Sequence, residues 1–305
     1  MIDAKLAALG LGWITSTIGI VFWVLVIGLL FVIMRFIRRK DYLLASVTCV
    51  PLAALFVLPV MSYMEQREYL AKYEPAKAIF DKLCKEQSAP IIKRTVEDVE
   101  GVLLLKVRPT SLPNRHQKLA DQLWADAALP KEADGDEYIQ QFLADRGLVE
   151  RSAPGLAPVW RIVHEIGGSY SRGFRYVDVP NAGGTRTRIT GIVDDAVSKN
   201  DIGRIRLQRS PTSAPAPQFA IDYENNVEPQ LRKHWIAGTI VKVIDTKTGE
   251  VIAQQSYWNW DEGFGNTSQR SPWTTNRSRC PQPAVGFGSQ IQEFVKEVIQ
   301  TKQGG

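Results

Sequence analysis

Residues 13–62 read WITSTIGIVFWVLVIGLLFVIMRFIRRKDYLLASVTCVPLAALFVLPVMS, which is two apolar runs separated by a short cationic turn. The runs hold 22 and 21 residues without a charge. About 20 apolar residues in a helix cross the hydrocarbon core of a bilayer. We therefore predict a transmembrane helical hairpin with spans at residues 13–34 and 42–62, a loop at residues 35–41 and a short N-terminus at residues 1–12.

The loop between the two spans sets the predicted orientation of the chain. It carries four cations against one carboxylate: Arg35, Arg38, Arg39 and Lys40. Short loops rich in Lys and Arg remain on the cytoplasmic side of a membrane. We therefore expect the tip of the hairpin in the cytoplasm and residues 63–305 on the other side, with the lipid bilayer as the first partner of the chain.

A cleaved signal peptide is the alternative interpretation of the first run. Its apolar region would be about 7–15 residues long and would precede a small-residue cleavage site. The first run is longer, and Arg35 follows it directly. Neither run contains an acidic, basic or histidine side chain, which a proton relay or transport path within the membrane requires. We therefore interpret the two helices as an anchor.

The net charge of +5 gives little support for nucleic-acid binding. Five of the 37 Lys and Arg residues and two of the 32 Asp and Glu residues precede residue 63, so the rest of the chain carries a net charge of only about +2. Nucleic-acid-binding domains concentrate basic residues on the surface that contacts phosphate. We expect no nucleic-acid partner.

Residues 63–305 predict an α+β domain in which helices pack on one side of an antiparallel meander sheet. Apolar residues at helical spacing predict a helix at residues 137–145, and Ser289 with Gln292 forms a capping box for a terminal helix. Alternating or β-branched runs predict strands at residues 174–179, 186–193, 202–208 and 219–223.

Two strand hairpins are also predicted in this domain. Residues 235–244 and 251–260 are β-branched runs joined by a short polar turn that contains a glycine. Residues 91–96 and 102–108 are predicted to pair in the same way, with Gly101 able to take a positive φ in the turn between them.

The chain contains three cysteines, and Cys49 lies in the second span. Cys84 and Cys280 are the other two, and an oxidising compartment favours a disulfide between them. Such a bridge would close a loop of roughly 196 residues, which the chain-entropy model values at up to about 5 kcal/mol. The alternative is two separate buried thiols. Neither cysteine has a CxxC partner or a nearby histidine, so we predict no metal site. We also expect no cofactor.

Several short strings of this domain form a recognisable set: Leu83-Cys84-Lys85, Arg94-Thr95-Val96, Val99-Glu100-Gly101-Val102, Lys106-Val107-Arg108-Pro109, Phe174-Arg175-Tyr176-Val177, Trp235-Ile236-Ala237-Gly238, Val243-Ile244-Asp245, Ser271-Pro272-Trp273 and Cys280-Pro281. Together they resemble an uncharacterised family of bacterial inner-membrane-anchored proteins with a periplasmic α+β domain. The resemblance covers most of the domain, but not residues 110–170 or 282–305. It implies a bacterial envelope location and a bond between Cys84 and Cys280, and nothing about catalysis.

No reaction centre is evident in the sequence. His164-Glu165-Ile166-Gly167-Gly168 begins like the zinc-binding helix motif, but Gly168 stands where the second histidine must be. His116 and His234 have no Cys or second His nearby in the sequence. We therefore assign no catalytic residue and no metal ligand, and we favour a protein without catalytic activity.

Four arginines on two predicted strands form one candidate binding surface. Arg186 and Arg188 share one face of the first strand, and Arg204 and Arg206 share one face of the second. If the two strands are neighbours, their guanidinium groups form a cationic strip suited to carboxylate or phosphate. The alternative is an ordinary solvated sheet face.

Tryptophans near the C-terminus form a second candidate surface. Trp258 and Trp260 lie two residues apart and hence on one strand face, with Tyr257 on the other. Together with Trp273 and Trp235 they would form an aromatic platform. The alternative is that these rings fill the core of the sheet or cover it.

The sequence favours a binding protein held at the outer face of an inner membrane, where it meets another envelope protein or an incoming one. Its concrete form is immunity against an antibacterial toxin that acts in the periplasm, which requires an anchor and a recognition surface rather than a nucleophile. One alternative is an envelope hydrolase acting on peptidoglycan or lipid, with catalytic groups brought together by folding. Another is an envelope sensor or assembly subunit that acts through a membrane partner.

Overall fold

The computed structural model describes residues 17–110, 115–147, 169–194, 196, 202, 205–266, 271–274, 278–282 and 289–301. The chain divides into two compact units, Met1–Lys77 and Ala78–Gly305. Four sequence predictions fall outside the described residues: the N-terminus at residues 1–12, the start of the first span, Arg204, and the residues around His164.

The described part of the first unit consists of two helices and the short turn between them. The helices are α1 (Thr17–Arg38) and the beginning of α2 (Tyr42–Gln87). A left-handed residue, Lys40 with a φ of 63°, follows α1. The Asp41 amide donates to the Phe36 carbonyl and the Lys40 amide donates to the Ile37 carbonyl, each at 3.0 Å. This is the hydrogen-bond pattern of a Schellman cap, which satisfies carbonyls at the end of α1 and turns the chain into α2.

α1 has the length and composition of a membrane-spanning helix. Among the described helices, Val21–Arg38 alone is long and apolar enough to cross a bilayer, with a mean hydropathy of 2.3 over 18 residues. Many of its apolar side chains are exposed, as Ile27 is at 64%. The apolar part of α2 is shorter, at Tyr42–Val57, and the rings of Phe22 and Phe56 meet edge to face with centroids 5.7 Å apart. α1 and α2 therefore contact each other through apolar side chains.

The second unit is α+β, as the sequence predicts. After the end of α2, its described helices are α3 (Arg115–Ala120), a 3-10 helix (Ala125–Ala128), α4 (Gly135–Leu143), α5 (Pro229–Lys233) and α6 (Gln290–Val298). Its described strands are β1 (Ile91–Ile92), β2 (Val96–Val99), β3 (Gly101–Leu104), β4 (Ala144–Gly147), β5 (Ser169–Arg172), β6 (Tyr176–Pro180), β7 (Arg186–Val193), β8 (Ile205–Thr212), β9 (Phe219–Asn226), β10 (Ile236–Asp245), β11 (Val251–Trp260), β12 (Arg279–Cys280) and β13 (Ile299–Thr301).

Nine of the described strands form one mixed sheet. The strand order is β1-β11-β10-β9-β3-β6-β7-β8, and β12 pairs with β11 at one end. Two further strand pairs lie outside this sheet, β13 with β2 and β4 with β5. The predicted hairpin of β10 and β11 is confirmed, because the two strands are antiparallel neighbours with Thr239 opposite Tyr257.

The prediction of an antiparallel meander is wrong at the centre of the sheet. β3 runs parallel to both of its neighbours, β6 and β9. The predicted hairpin of residues 91–96 with 102–108 is wrong as well, because β1 pairs with β11 and β2 pairs with β13. The physical reason is burial, since all four residues of β3 are buried. Such a run suits a central strand that is covered on both faces rather than the arm of a surface hairpin.

The main core lies on one face of the sheet, beneath α4 and α6. Tyr138 and Phe142 from α4 and Phe294 from α6 belong to the same buried cluster as the central strands β3, β6 and β9. The predicted start of α6 is also correct, because the Ser289 hydroxyl accepts a hydrogen bond from the Gln292 amide at 3.1 Å. The helices thus remove one face of the sheet from water, and hydrophobic burial there stabilises the unit.

Several charged side chains lie on the opposite face of the sheet. The strand registers place Asp178, Arg188, Glu224 and Lys242 on this face, and Lys242 pairs with Glu224 at 2.8 Å. The same registers place Trp258 and Trp260 on this face too, where the Trp260 ring packs against Phe80 of α2, so the prediction that helices pack on one side only is wrong at this end of the sheet. The charged part of this face is therefore a candidate binding surface.

The disulfide between Cys84 and Cys280 is present, which confirms that prediction. Their Cα atoms are 5.6 Å apart, within the usual range for a disulfide. The bond joins the end of α2 to β12, and β12 pairs with β11 through Cys280 opposite Trp258. Cys49 is free and exposed.

Candidate functional site

The structure brings together the strands of the predicted arginine strip. β7 and β8 are antiparallel neighbours, with Arg206 opposite Ile192. Alternate residues of a strand share a face, and so do directly paired residues of neighbouring strands. Arg186, Arg188 and Arg206 therefore lie on one face of the sheet. Arg204 is outside the described residues.

A buried carboxylate organises one end of this strip. Asp178 is fully buried and accepts two hydrogen bonds from Arg188, at 2.8 Å from Nε and at 3.0 Å from Nη2. The hydrogen bond with Asp178 raises the pKa of Arg188 above its usual value. Arg186 Nε lies 3.6 Å from the same carboxylate, and the Arg188 guanidinium lies 3.7 Å from the centre of the Tyr176 ring. Arg188 is therefore held in one orientation by a bidentate ion pair and a cation–π contact.

The other end of the strip is more exposed. Arg206 pairs with Asp194 at 2.5 Å, while 72% of the Arg206 side chain remains exposed. The three described arginines thus face two carboxylates, so the described strip keeps only one net positive charge. Such a surface matches a partner surface of mixed polarity better than an isolated phosphate, because paired arginines have fewer donors left.

The tryptophans of the predicted aromatic platform are in the interior. Trp258, Trp260 and Trp273 are each at most 3% exposed. The Trp260 ring lies 5.7 Å from the Phe80 ring, and the Trp273 ring lies 5.2 Å from the Trp235 ring. Ring pairs at these distances contribute to packing. In this structure the tryptophans form part of the packed interior and not an open surface.

A groove beside β2 and β13 is the concave surface that we take as the candidate site. Its volume is about 390 Å³, and ligand pockets commonly measure about 300–1,000 Å³. Apolar residues from α4, α6 and neighbouring segments form its floor: Phe142, Phe174, Val295 and Ile299. Charged residues from β2 and α6 line it as well: Glu97, Asp98 and Lys296.

A β-bulge directs both acidic side chains of β2 toward the groove. Two paired residues of β2 are three positions apart, whereas their partners on β13 are only two positions apart. One extra residue therefore lies on β2, and Asp98 within this stretch has a φ of 56°. Successive residues of a regular strand face opposite sides, and a bulge interrupts this alternation. Glu97 and Asp98 can consequently line the same groove.

None of the groove residues was a candidate site residue in the sequence. The groove is assembled from segments around residues 97, 142, 174 and 295, which only the fold brings together. The one local hint was the adjacent pair Glu97 and Asp98, because aspartate is depleted in strands and tolerates a positive φ. The sequence pattern was instead interpreted as a hairpin turn.

A second carboxylate of interest lies at the start of α6. Glu132 is half-buried and accepts a hydrogen bond from the Gln290 amide at 3.0 Å and another from the Ser289 hydroxyl. Burial raises the pKa of Glu132 to about 7, while the charge of Arg108 acts in the opposite direction. These contacts place the carboxylate at a helix N-terminus, where negative charge is favourable. The geometry is that of a structural clasp between Glu132 and α6.

Among the residues that the structure describes, no three His, Cys, Asp or Glu side chains form a group that could hold a metal ion.

No family model, no curated protein and no solved structure matches the chain. The resemblance to an uncharacterised envelope family therefore stays a prediction.

Proposed function

We propose that the chain is a membrane-anchored recognition protein without catalytic activity, and that its second unit binds another protein through the groove beside β2 and β13. The groove is the observation that carries the proposal, because it joins an apolar floor to charged rims. Protein interfaces commonly combine an apolar centre with a polar edge. Binding of this kind depends on shape and charge and needs no nucleophile.

The anchor in this proposal is the helical hairpin at residues 13–62. The length of Val21–Arg38 and the exposure of its apolar side chains support it, since contiguous exposed apolar surface is rare on soluble proteins. The four cations at residues 35–40 favour a cytoplasmic turn. With both helices spanning the inner membrane of a bacterium, the second unit would work in the periplasm.

In its specific form, the proposed partner is an antibacterial toxin that reaches the periplasm, and the chain confers immunity by occupying it. An anchored domain with a recognition groove meets the physical requirements of such a role. Challenge of cells with and without the chain by a candidate toxin tests this form. Equal survival of the two strains would contradict it.

Reporter fusions test the proposed location. Alkaline phosphatase is active only where its disulfides form. We expect a fusion after Gly305 to be active and a fusion after Lys40 to be inactive. An inactive Gly305 fusion of normal abundance would place the second unit in the cytoplasm and contradict the proposal.

Capture from membranes tests the proposed binding function. We expect the full chain to retain a protein partner that is lost in a Thr301→Trp variant, because the larger side chain fills the groove at β13. Thr248→Trp is the matched control, since Thr248 lies in the exposed turn between β10 and β11. Retention of the same partners by the Thr301→Trp variant would show that the groove is not the binding site.

A further inference from the structure

Building on the proposed function, we infer that the groove binds an extended peptide segment that carries a lysine or arginine next to apolar side chains. The occupant is a segment of a partner protein rather than a folded surface, because a volume of about 390 Å³ holds only a few side chains. The apolar floor and the acidic rim set the two parts of this specificity.

The floor of the groove favours apolar side chains on the partner segment. Phe142, Val295 and Ile299 are each at most 1% exposed, and Phe174 is 5% exposed. These packed side chains close the groove from below and offer it only a small apolar area, which suits one or two small apolar side chains of a segment.

The charged rim favours a cation on the partner segment. Glu97 and Asp98 are both exposed and both line the groove, while Lys296 lines it from α6. The lining therefore carries one net negative charge. A basic side chain that enters from the β2 side meets two carboxylates there. Each exposed ion pair contributes up to about 1 kcal/mol, which corresponds to about fivefold in affinity.

The β-bulge supports this assignment because it gives the two acids a common direction. A regular strand at the same place would present only one of Glu97 and Asp98 to the groove. The left-handed conformation at Asp98 is available to aspartate and asparagine at lower cost than to most residues. Asp98→Asn is therefore a substitution that removes the charge and keeps the bulge.

Peptide binding to the full chain in detergent micelles tests the inference. The probes are labelled, N-acetylated and C-amidated pentapeptides Ala-Leu-Lys-Leu-Ala, with norleucine or glutamate replacing the lysine in two further versions. Fluorescence polarisation measures their affinities. We expect the lysine peptide to bind about fivefold more tightly than the norleucine peptide at low salt, and this preference to shrink as salt screens the rim.

Two variants assign the preference to the rim. In Glu97→Gln with Asp98→Asn, we expect the lysine and norleucine peptides to bind equally, while the affinity for norleucine stays unchanged. The control variant combines Glu86→Gln and Glu137→Gln, which removes two exposed carboxylates that do not line the groove. This control is expected to keep the full preference for lysine.

Several results would contradict the inference that the groove binds a basic peptide segment. Equal binding of the lysine and norleucine peptides to the unmodified chain, or an unchanged preference in Glu97→Gln with Asp98→Asn, would overturn the inference. Competition by spermidine alone, at the same concentration as the peptide, would also overturn it, because the occupant would then be a small cation. Self-association of the chain that the double variant abolishes would overturn it too, because the occupant would then be a second copy of the chain. If no peptide binds but capture of a membrane partner still depends on Thr301, the peptide chemistry is wrong and the proposed function stands.

Discussion

Glu132 couples the charge of one residue to the stability of the second unit. Its carboxylate accepts hydrogen bonds from Ser289 and Gln290 at the start of α6, and Arg108 and Glu293 act on its charge in opposite directions. Desolvation outweighs these contacts and raises its pKa from 4.5 to about 7. Because the folded-state pKa lies above the unfolded value, its contribution to stability is present below about pH 4.5 and is lost as the pH rises through 7.

Glu132→Gln tests this linkage. The amide keeps a hydrogen-bond acceptor for α6 but does not ionise, so the variant should gain stability relative to the unmodified chain as the pH rises from 4.5 to 8. The gain should be at most about 3 kcal/mol. Urea unfolding of the full chain at several pH values measures it, with Glu137→Gln as an exposed control. A gain that appears at pH 4.5 and disappears at pH 8 would have the wrong sign.

Asp178 has a different role, because it is a buried carboxylate shared by two arginines. Asp178→Asn leaves Arg188 and Arg186 without their charge partner, and loss of one member of a buried ion pair costs about 3–5 kcal/mol. The side chains of both arginines are partly exposed, so we expect a loss of about 3 kcal/mol. Asp194→Asn is the control: its partner Arg206 is mostly exposed, and the expected loss is below about 1 kcal/mol. Equal losses in denaturant unfolding would show that burial of Asp178 adds nothing.

At the scale of elements, local patterns predicted local structure. The hairpin of β10 and β11 depends on two β-branched runs and the turn between them, so all of its information is contiguous in the sequence. The capping box at Ser289 and Gln292 likewise lies within four residues and correctly predicted the start of α6. Both features are set by interactions between near neighbours in the chain.

The pairing of strands that lie far apart in the sequence could not be predicted from such local patterns. β3 lies between β6 and β9, which follow it by more than 70 and more than 110 residues. A short buried run such as Gly101–Leu104 is apolar throughout, so it does not distinguish a parallel partner from an antiparallel one. The groove shares this limit, because its floor and its rim come from different segments that meet only in the fold.

The bulge in β2 gives a prediction at the scale of an element. Asp98 has a φ of 56°, and a β-branched residue in this left-handed conformation costs about 1–2 kcal/mol. We expect Asp98→Val to lower the stability by about that amount and Asp98→Asn to leave it nearly unchanged. Thermal unfolding of the two variants compares them directly. Equal melting temperatures would be inconsistent with a left-handed residue at this position.

At the scale of the whole molecule, the cations that precede residue 63 and the disulfide lie in different units of the chain. Four of the five cations before residue 63 lie at the end of α1 or in the turn that follows it. Within the second unit, residues near its beginning and near its end are joined covalently by Cys84 and Cys280. The bond links two chain positions separated by 196 residues, so it constrains almost all of this unit when it unfolds.

The disulfide between Cys84 and Cys280 should stabilise the second unit. Replacement of Cys84 and Cys280 by serine releases a long loop in the unfolded chain, and the chain-entropy model sets the resulting loss of stability at up to about 5 kcal/mol. Urea unfolding of the full chain, with and without reductant, measures the loss, and reductant should have no further effect on the double variant. Cys49→Ser is the control, because Cys49 is free and exposed. If reductant leaves the unmodified chain as stable as before while both thiols become reactive, the bond does not stabilise the second unit, since release of the loop would then have no thermodynamic consequence.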